Sequence, residues 1–326
     1  MRKRRYKILL ATVLTVSAVS VFNASWRVPA GEPELRLIAH RGIHQTFPSD
    51  GLQSDTCTAA RIHPPTHDYI ENTIRSMQAA FAAGADIVEF DVHPTIDGKF
   101  AVLHDWIIDC RTEGHGVTRE HGLAYLQSLD IGYGYTADGG NSFPLRGRGV
   151  GLMPELREVF TALPGGRFLV NFKSREAREG DMLAALMDEH PEWRSAVWGI
   201  YGGDEPTFRA AELLGSGVKA WSRRSLIDCL GRYIAIGWTG IMPDACKGTV
   251  VMIPANAAPW LWGWPNLLLQ RFHAAGSEVI LLGPFSSGDP GTAGIDTLEE
   301  LARVPSGFSG YLWTNKIEVI GPAVKR

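Results

Sequence analysis

From residue 35 to residue 313 the chain alternates short β-like apolar runs with amphipathic stretches, and that order restricts it to an α/β fold. Residues 35–39, 87–92, 100–104, 167–172, 196–201, 218–221, 250–253, 279–282 and 311–313 read as strands. Between them, residues 70–83, 156–163, 182–189, 206–214, 226–236, 267–275 and 298–302 read as helices. In the first of these Ile74, Met77 and Phe81 share one face, and Gly84 ends it. Nearly eight β/α units without a break in composition point to a single (β/α)8 TIM barrel over residues 31–326. A doubly wound open sheet is the competing architecture. No GxGxxG follows the first strand, which weakens its dinucleotide-binding version. The link through Pro94 and Asp97-Gly98 is too short for a helix, so the second and third strands form a hairpin or an irregular barrel element. A polar insertion over residues 43–69 and a Gly-rich stretch over 109–151 read as long loops.

With 326 residues, 45% hydrophobic and 21% charged, the chain has the size and balance of a globular protein. A formal net charge of −3, with no long basic block beyond the N-terminus, argues against nucleic acid as a partner. Residues 1–30 read as a targeting segment. Arg2, Lys3, Arg4, Arg5 and Lys7 precede an uncharged run from Ile8 to Phe22, the order of a signal peptide or an N-terminal membrane anchor. No small-x-small cleavage site is clean, which puts an uncleaved anchor slightly ahead. Both versions export the folded body to the periplasmic or extracytoplasmic face of a membrane. The four cysteines, Cys57, Cys110, Cys229 and Cys246, form no CxxC, so disulfides are expected rather than a zinc ribbon. Nearest-neighbour pairing gives Cys57–Cys110 and Cys229–Cys246; the other two connectivities and four buried thiols stay open.

Chemistry-bearing residues gather at the ends of the early strands, where barrels of this type carry their sites. His40-Arg41-Gly42 follows residues 35–39, Glu89-Phe90-Asp91 lies in 87–92, and His104-Asp105 closes the third run. Glu89 and Asp91 are two apart, so on a strand both point to one face. Inward acids repel unless a cation sits between them, and a hard divalent ion with oxygen ligands is its natural occupant. Solvated edge acids are the plain alternative, opposed by the apolar flanks Ile87, Val88, Phe90 and Val92. Histidines titrate near neutrality, so one of His40 and His104 can take a proton while the other gives one. Arg41 can offer a planar fork to phosphate oxygens. The set suits metal-assisted acid–base chemistry on a phosphodiester.

These residues carry a family resemblance. His40-Arg41-Gly42, Glu71-Asn72-Thr73, Gly84-Ala85-Asp86 leading into Glu89-Phe90-Asp91-Val92, then Asp97-Gly98 and His104-Asp105, together resemble the glycerophosphodiester phosphodiesterase family. Beyond Asp105 the likeness is patchier, with Phe172-Lys173 after one strand and Trp313-Thr314-Asn315 at the last. The resemblance implies a PLC-like phosphodiesterase TIM barrel, a Ca2+ or Mg2+ cofactor, and hydrolysis of glycerophosphodiesters to glycerol 3-phosphate and an alcohol. It implies His40 and His104 as the acid–base pair, Glu89 and Asp91 as metal ligands, and Arg41 and Lys173 toward phosphate. The family usually has a third metal-binding Glu where this chain has Asn171, an uncharged oxygen donor. Glu71 is expected to support the His-Arg-Gly turn.

Two other readings remain open. One is a lysophospholipase D or sphingomyelinase D-like enzyme acting on a lysolipid or sphingolipid. The other is a phospholipid-binding protein that lost catalysis through Asn171. The run Pro259-Trp260-Leu261-Trp262-Gly263-Trp264-Pro265 reads either as a lip meeting lipid or as packing under a loop. Trp198, Trp238 and Trp313 are expected in the core or a pocket wall.

Overall fold

A computed structural model describes residues 2–31, 34–53, 56–286 and 293–324. The chain opens with helix α1 (Arg2–Phe22), whose segment Arg4–Phe22 is long and apolar enough to cross a membrane, with a mean hydropathy of 1.5 and no burial against the protein. Strand β1 (Leu35–Ala39) and helix α2 (Ile74–Ala82) follow, then β2 (Ile87–Pro94), β3 (Phe100–Val102), and helices α3 (Leu123–Ser128) and α4 (Leu156–Ala162). The remainder runs β4 (Phe168–Phe172), α5 (Ala177–Glu189), β5 (Val197–Gly202), α6 (Asp204–Leu214), β6 (Lys219–Ser222), α7 (Arg223–Ile236), β7 (Val250–Pro254), α8 (Asn266–Ala274), β8 (Glu278–Leu282), α9 (Leu298–Ala302), β9 (Gly310–Thr314) and α10 (Ile317–Ile320).

Eight parallel strands pair in the order β6-β5-β4-β2-β1-β9-β8-β7, a nearly closed barrel. The seam lies between β6 and β7, where no ladder forms among the described residues. Side chains span it: the Trp221 indole N–H points at Met252 Sδ at 3.3 Å, and Thr249 Oγ1 donates to the Ala220 carbonyl at 3.3 Å. Strand β3 stays off the barrel, antiparallel to β2 with Val92 opposite Val102, so the third run is a hairpin arm.

The twofold repeat of the strands sorts the side chains. Ile38, Ile87, Leu169, Trp198, Trp221, Ile280 and Trp313 fill the lumen, while Leu37, Val88, Phe90, Val170 and Leu281 face the helices. In β2 the lumen side continues from Ile87 to Glu89 and Asp91, and in β4 from Leu169 to Asn171. The inward acids are therefore a matter of register.

Two expectations need correction. The helix expected over 70–83 begins only at Ile74: Asn72 sits at φ 59° and Thr73 caps the helix, its hydroxyl accepting from the Ser76 N–H. The stretch 109–151 is no open loop. It carries α3 and packs a second apolar cluster in which Ile108, Leu123, Leu126, Ile131, Tyr135 and Leu145 join Leu103. Both nearest-neighbour disulfides are present, Cys57–Cys110 with Cα atoms 5.4 Å apart and Cys229–Cys246 with 4.8 Å.

Candidate active site

The His40-Arg41-Gly42 turn begins where β1 ends. The His40 N–H donates to the Thr314 carbonyl at 3.0 Å, so the ring is placed by the β1–β9 pair. Arg41 and Gly42 both take positive φ, 57° and 75°. A Cβ on Gly42 would lie 2.2 Å from Ser76 Oγ and 2.9 Å from the Ser76 carbonyl carbon, so only glycine fits against α2. Ser76 Oγ lies 3.1 Å from the Arg41 carbonyl and 2.8 Å from that of Ile43, within hydrogen-bond reach of both. The turn aims the Arg41 N–H at Glu89 Oε2, 3.1 Å away.

Around the acid pair every carboxylate oxygen has a donor. The Tyr201 hydroxyl donates to Glu89 Oε1 at 2.7 Å. Asn72 Nδ2 donates to Asp91 Oδ2 at 3.0 Å, and Asn72 Oδ1 accepts the Asp91 N–H at 3.2 Å. Asn171 Nδ2 donates to Asp91 Oδ1 at 2.8 Å, with the Lys173 ammonium 3.4 Å from the same oxygen. Arg41 Nε lies 3.3 Å from Asp91 Oδ2 and 3.2 Å from His40 Nε2. Arg41 Nη1 reaches Glu71 at 2.8 Å, and Arg111 meets the same carboxylate at 3.0 Å.

Both histidines have Nδ1 fixed by a side-chain oxygen. His40 Nδ1 donates to Asn315 Oδ1 at 2.6 Å, and His104 Nδ1 to Asp105 Oδ1 at 2.8 Å. Each ring thereby presents Nε2 as a proton acceptor. Burial, then the Arg41 guanidinium, holds the His40 imidazole well below its ordinary value. The His104 imidazole is lowered by burial, then by Arg41 and Lys173.

The acids diverge. Burial, and then the neighbouring Asp91 charge, push the Glu89 carboxyl up to about 8. Burial would raise Asp91 too, but Lys173 and then Arg41 hold it far below the usual carboxylate range. The two acids are thus pushed apart, Glu89 toward its neutral form and Asp91 toward its ionised form. Two inward carboxylates are oxygen donors of the kind a hard divalent ion takes, while the Asn171 amide as folded turns Nδ2, not Oδ1, to Asp91. Among the described residues no group of three or more His, Cys, Asp or Glu side chains is placed to hold a metal.

The structure brings together all eight residues singled out from sequence: His40, Arg41, Glu71, Glu89, Asp91, His104, Asn171 and Lys173. It adds Tyr201, Asn315, Asp105 and Arg111, which sequence reasoning did not place in the site. Asn315 and Asp105 stood within quoted motifs. Arg111 had no local signal, being set by Asp105 six residues before it (2.6 Å) and by Thr58 (2.8 Å), Glu71 and Tyr135 from three distant points of the chain.

The comparisons agree with this geometry. Residues 40–188 match the glycerophosphoryl diester phosphodiesterase family. A glycerophosphodiester phosphodiesterase of Caldanaerobacter subterraneus is 36% identical over 119 residues, 36% of this chain and 44% of that protein. One of Bacillus subtilis is 32% identical over 126 residues, 37% of this chain and 42% of that protein. The chain therefore spans less than half the length of these relatives. Among solved structures, the glycerophosphoryl diester phosphodiesterase domain of an uncharacterised Mycobacterium tuberculosis protein superposes with a TM-score of 0.62 at 16% identity, covering 89% of this chain and 99% of that one. An Oleispira antarctica phosphodiesterase in complex with the product sn-glycerol-3-phosphate gives 0.55 at 17% identity, covering 90% and 96%. At those identities the likeness is one of fold. Residues 40–188 thus match the glycerophosphoryl diester phosphodiesterase family, and the barrel those residues help to build has the fold of its solved structures.

Proposed function

We propose that the protein is a phosphoric diester hydrolase that cleaves glycerophosphodiesters to glycerol 3-phosphate and an alcohol. The observation that carries this reading is the pair of imidazoles, each with Nδ1 fixed by a side-chain oxygen and both under the field of Arg41. His40, the more strongly depressed, takes the proton of the attacking hydroxyl through Nε2 once the Arg41 Nε–H that this nitrogen accepts in the free site turns away. His104, protonated at Nε2 in the reacting form and steadied by Asp105, gives that proton to the departing alkoxide oxygen as the P–O bond breaks. Lys173, with a single ion pair to Asp91, moves its ammonium to a phosphoryl oxygen. Arg41 is committed to Glu71, Asp91 and His40, so it reaches phosphate only with the N–H donors these leave, and mainly shapes the field. Glu89, Asp91 and Asn171 would hold Ca2+ or Mg2+, which supplies neutralisation of charge on the phosphoryl oxygens. Residues 1–30 export and tether the enzyme, and residues 31–326 form its catalytic body.

A substrate panel with and without EDTA tests the reading. Metal-dependent release of glycerol 3-phosphate is the expected result. Release of a free headgroup from lysolipids would move the substrate to the lysophospholipase D class. Tight binding without turnover on any diester would reduce the protein to a binding module.

A further inference from the structure

Helix α1 does not end in a free linker. The residues after it are bolted to the barrel. Asn23 is buried, and its Nδ2 donates to the Trp238 carbonyl at 2.9 Å. Arg271 of α8 donates to Asn23 Oδ1 at 2.9 Å and to the Gly237 carbonyl at 3.1 Å. The Asn266 N–H donates to Ser25 Oγ at 3.0 Å, and Asn266 Nδ2 to the Val28 carbonyl at 3.1 Å. A Cβ on Gly240 would sit 3.2 Å from the Phe22 ring, so the end of α1 touches the turn after α7 directly.

Large apolar side chains left in solvent gather around that exit. Trp26 is 74% exposed, Trp238 43% and Ile241 62%. Trp260 is 86% exposed, on a loop held to the end of α7 by the Trp262 indole, which donates to the Ile234 carbonyl at 2.9 Å. Trp238 was expected in the core or a pocket wall, and it instead lies 43% exposed beside the helix exit. The Arg27 guanidinium covers the Phe22 ring at 5.1 Å, a cation where an apolar helix gives way to a polar surface. Indoles and cations at the end of an apolar helix are what the headgroup zone of a bilayer selects.

We propose that the barrel rests on the bilayer in a fixed pose, with Trp26, Trp238, Ile241 and Trp260 as a collar in the lipid interface around the end of α1. The occupant of this surface is lipid, because the collar continues the membrane-crossing face of α1 and the bolt leaves α1 no freedom to carry it elsewhere. The inference rests on the anchored reading of α1 and not on the hydrolase reading.

The test uses the full chain labelled with 5-fluorotryptophan in nanodiscs of phosphatidylcholine and phosphatidylglycerol carrying a headgroup nitroxide. The resonances of Trp26, Trp238 and Trp260 should broaden at least twofold more than that of Trp106. Trp106 is 44% exposed, as much as Trp238, but lies beyond β3 and packs on Arg119. Arg271→Met should loosen the bolt and halve the excess broadening of Trp238 and Trp260. Equal broadening of Trp106 and the collar, no broadening of the collar, or a chain that does not enter the discs would overturn the proposal. Quenching of the collar by a second copy in detergent, with none from lipid, would assign the surface to self-association. None of these readouts depends on turnover, so failure here and failure of the proposed reaction are separable.

Discussion

The two histidines make distinct demands on pH. Substitution of either by alanine should lower kcat roughly 10²–10⁴-fold with an unchanged circular dichroism spectrum. Near-normal turnover in one variant removes that residue from the chemistry. In the free site both imidazoles are held below the ordinary 6.5. The form that reacts needs His40 neutral, so rate is lost as pH falls through its lowered value. It needs His104 protonated, so rate is lost again as pH rises through that lowered value. Both limbs of kcat/KM should therefore fall below pH 6.5. A basic limb above it would show that the acid is not His104 in this setting. Asn171 poses the third question at this scale. Its amide donates to Asp91, where a carboxylate would instead add a charge. Asn171→Glu should tighten Ca2+ or Mg2+ binding by about tenfold or more, given the extra charged ligand. Titration calorimetry reads this directly, and unchanged affinity for both ions in a folded variant would place residue 171 outside the metal's shell.

At the scale of elements, the hairpin arm decides where His104 stands. Arg111 is buried between Asp105, Glu71, Thr58 and Tyr135, and Cys110 beside it is linked to Cys57 of the 43–69 insertion. That insertion thus helps hold the Asp105–His104 pair. Arg111→Met should cost roughly 3–5 kcal/mol, since it strands two carboxylates in the interior. Asp105 and Glu71 are both held below their ordinary values, against burial, chiefly by Arg111. Their contribution is therefore present above the unfolded value of about 4 and lost as pH falls through the lower folded values. Denaturant unfolding of the variant should show a weaker acid dependence than wild type; an identical one would mean that the network is not what Arg111 secures. The same elements mark how far the sequence could be read. The parallel strands follow from their apolar runs, and Glu89 and Asp91 from their spacing of two. The fold over 109–151 was not legible, because its apolar residues are too widely spaced for a strand or helix period and cluster only when Leu103 and Ile108 meet them. Tyr201 was hidden for a similar reason: its hydroxyl reaches Glu89 only because β2, β4 and β5 lie side by side.

For the whole molecule, the weak line is the seam of the barrel. Seven neighbouring pairs of barrel strands carry ladders, but among the described residues β6 and β7 form none and are bridged by side chains such as Trp221 on Met252. Cys229 lies in α7, which follows β6, and Cys246 lies just before β7, so their disulfide joins the two banks of that seam across a separation of 17 residues. In the chain-entropy model a loop of that length contributes about 3 kcal/mol. The longer Cys57–Cys110 loop, with a sequence separation of 53 residues, contributes about 4 kcal/mol, but it secures the hairpin arm and not the wall. The two links should therefore fail differently. Cys229→Ala with Cys246→Ala should leave the hairpin protected while amides of β6 and β7 exchange faster than those of β1 and β9, since opening begins where no ladder has to break. Cys57→Ala with Cys110→Ala should leave the seam intact and show its loss in kcat through His104. Hydrogen exchange with peptide resolution separates these outcomes. Uniform loss of protection around the barrel in the first variant would mean that the wall opens as one cooperative unit and that the disulfide is not a seam fastener.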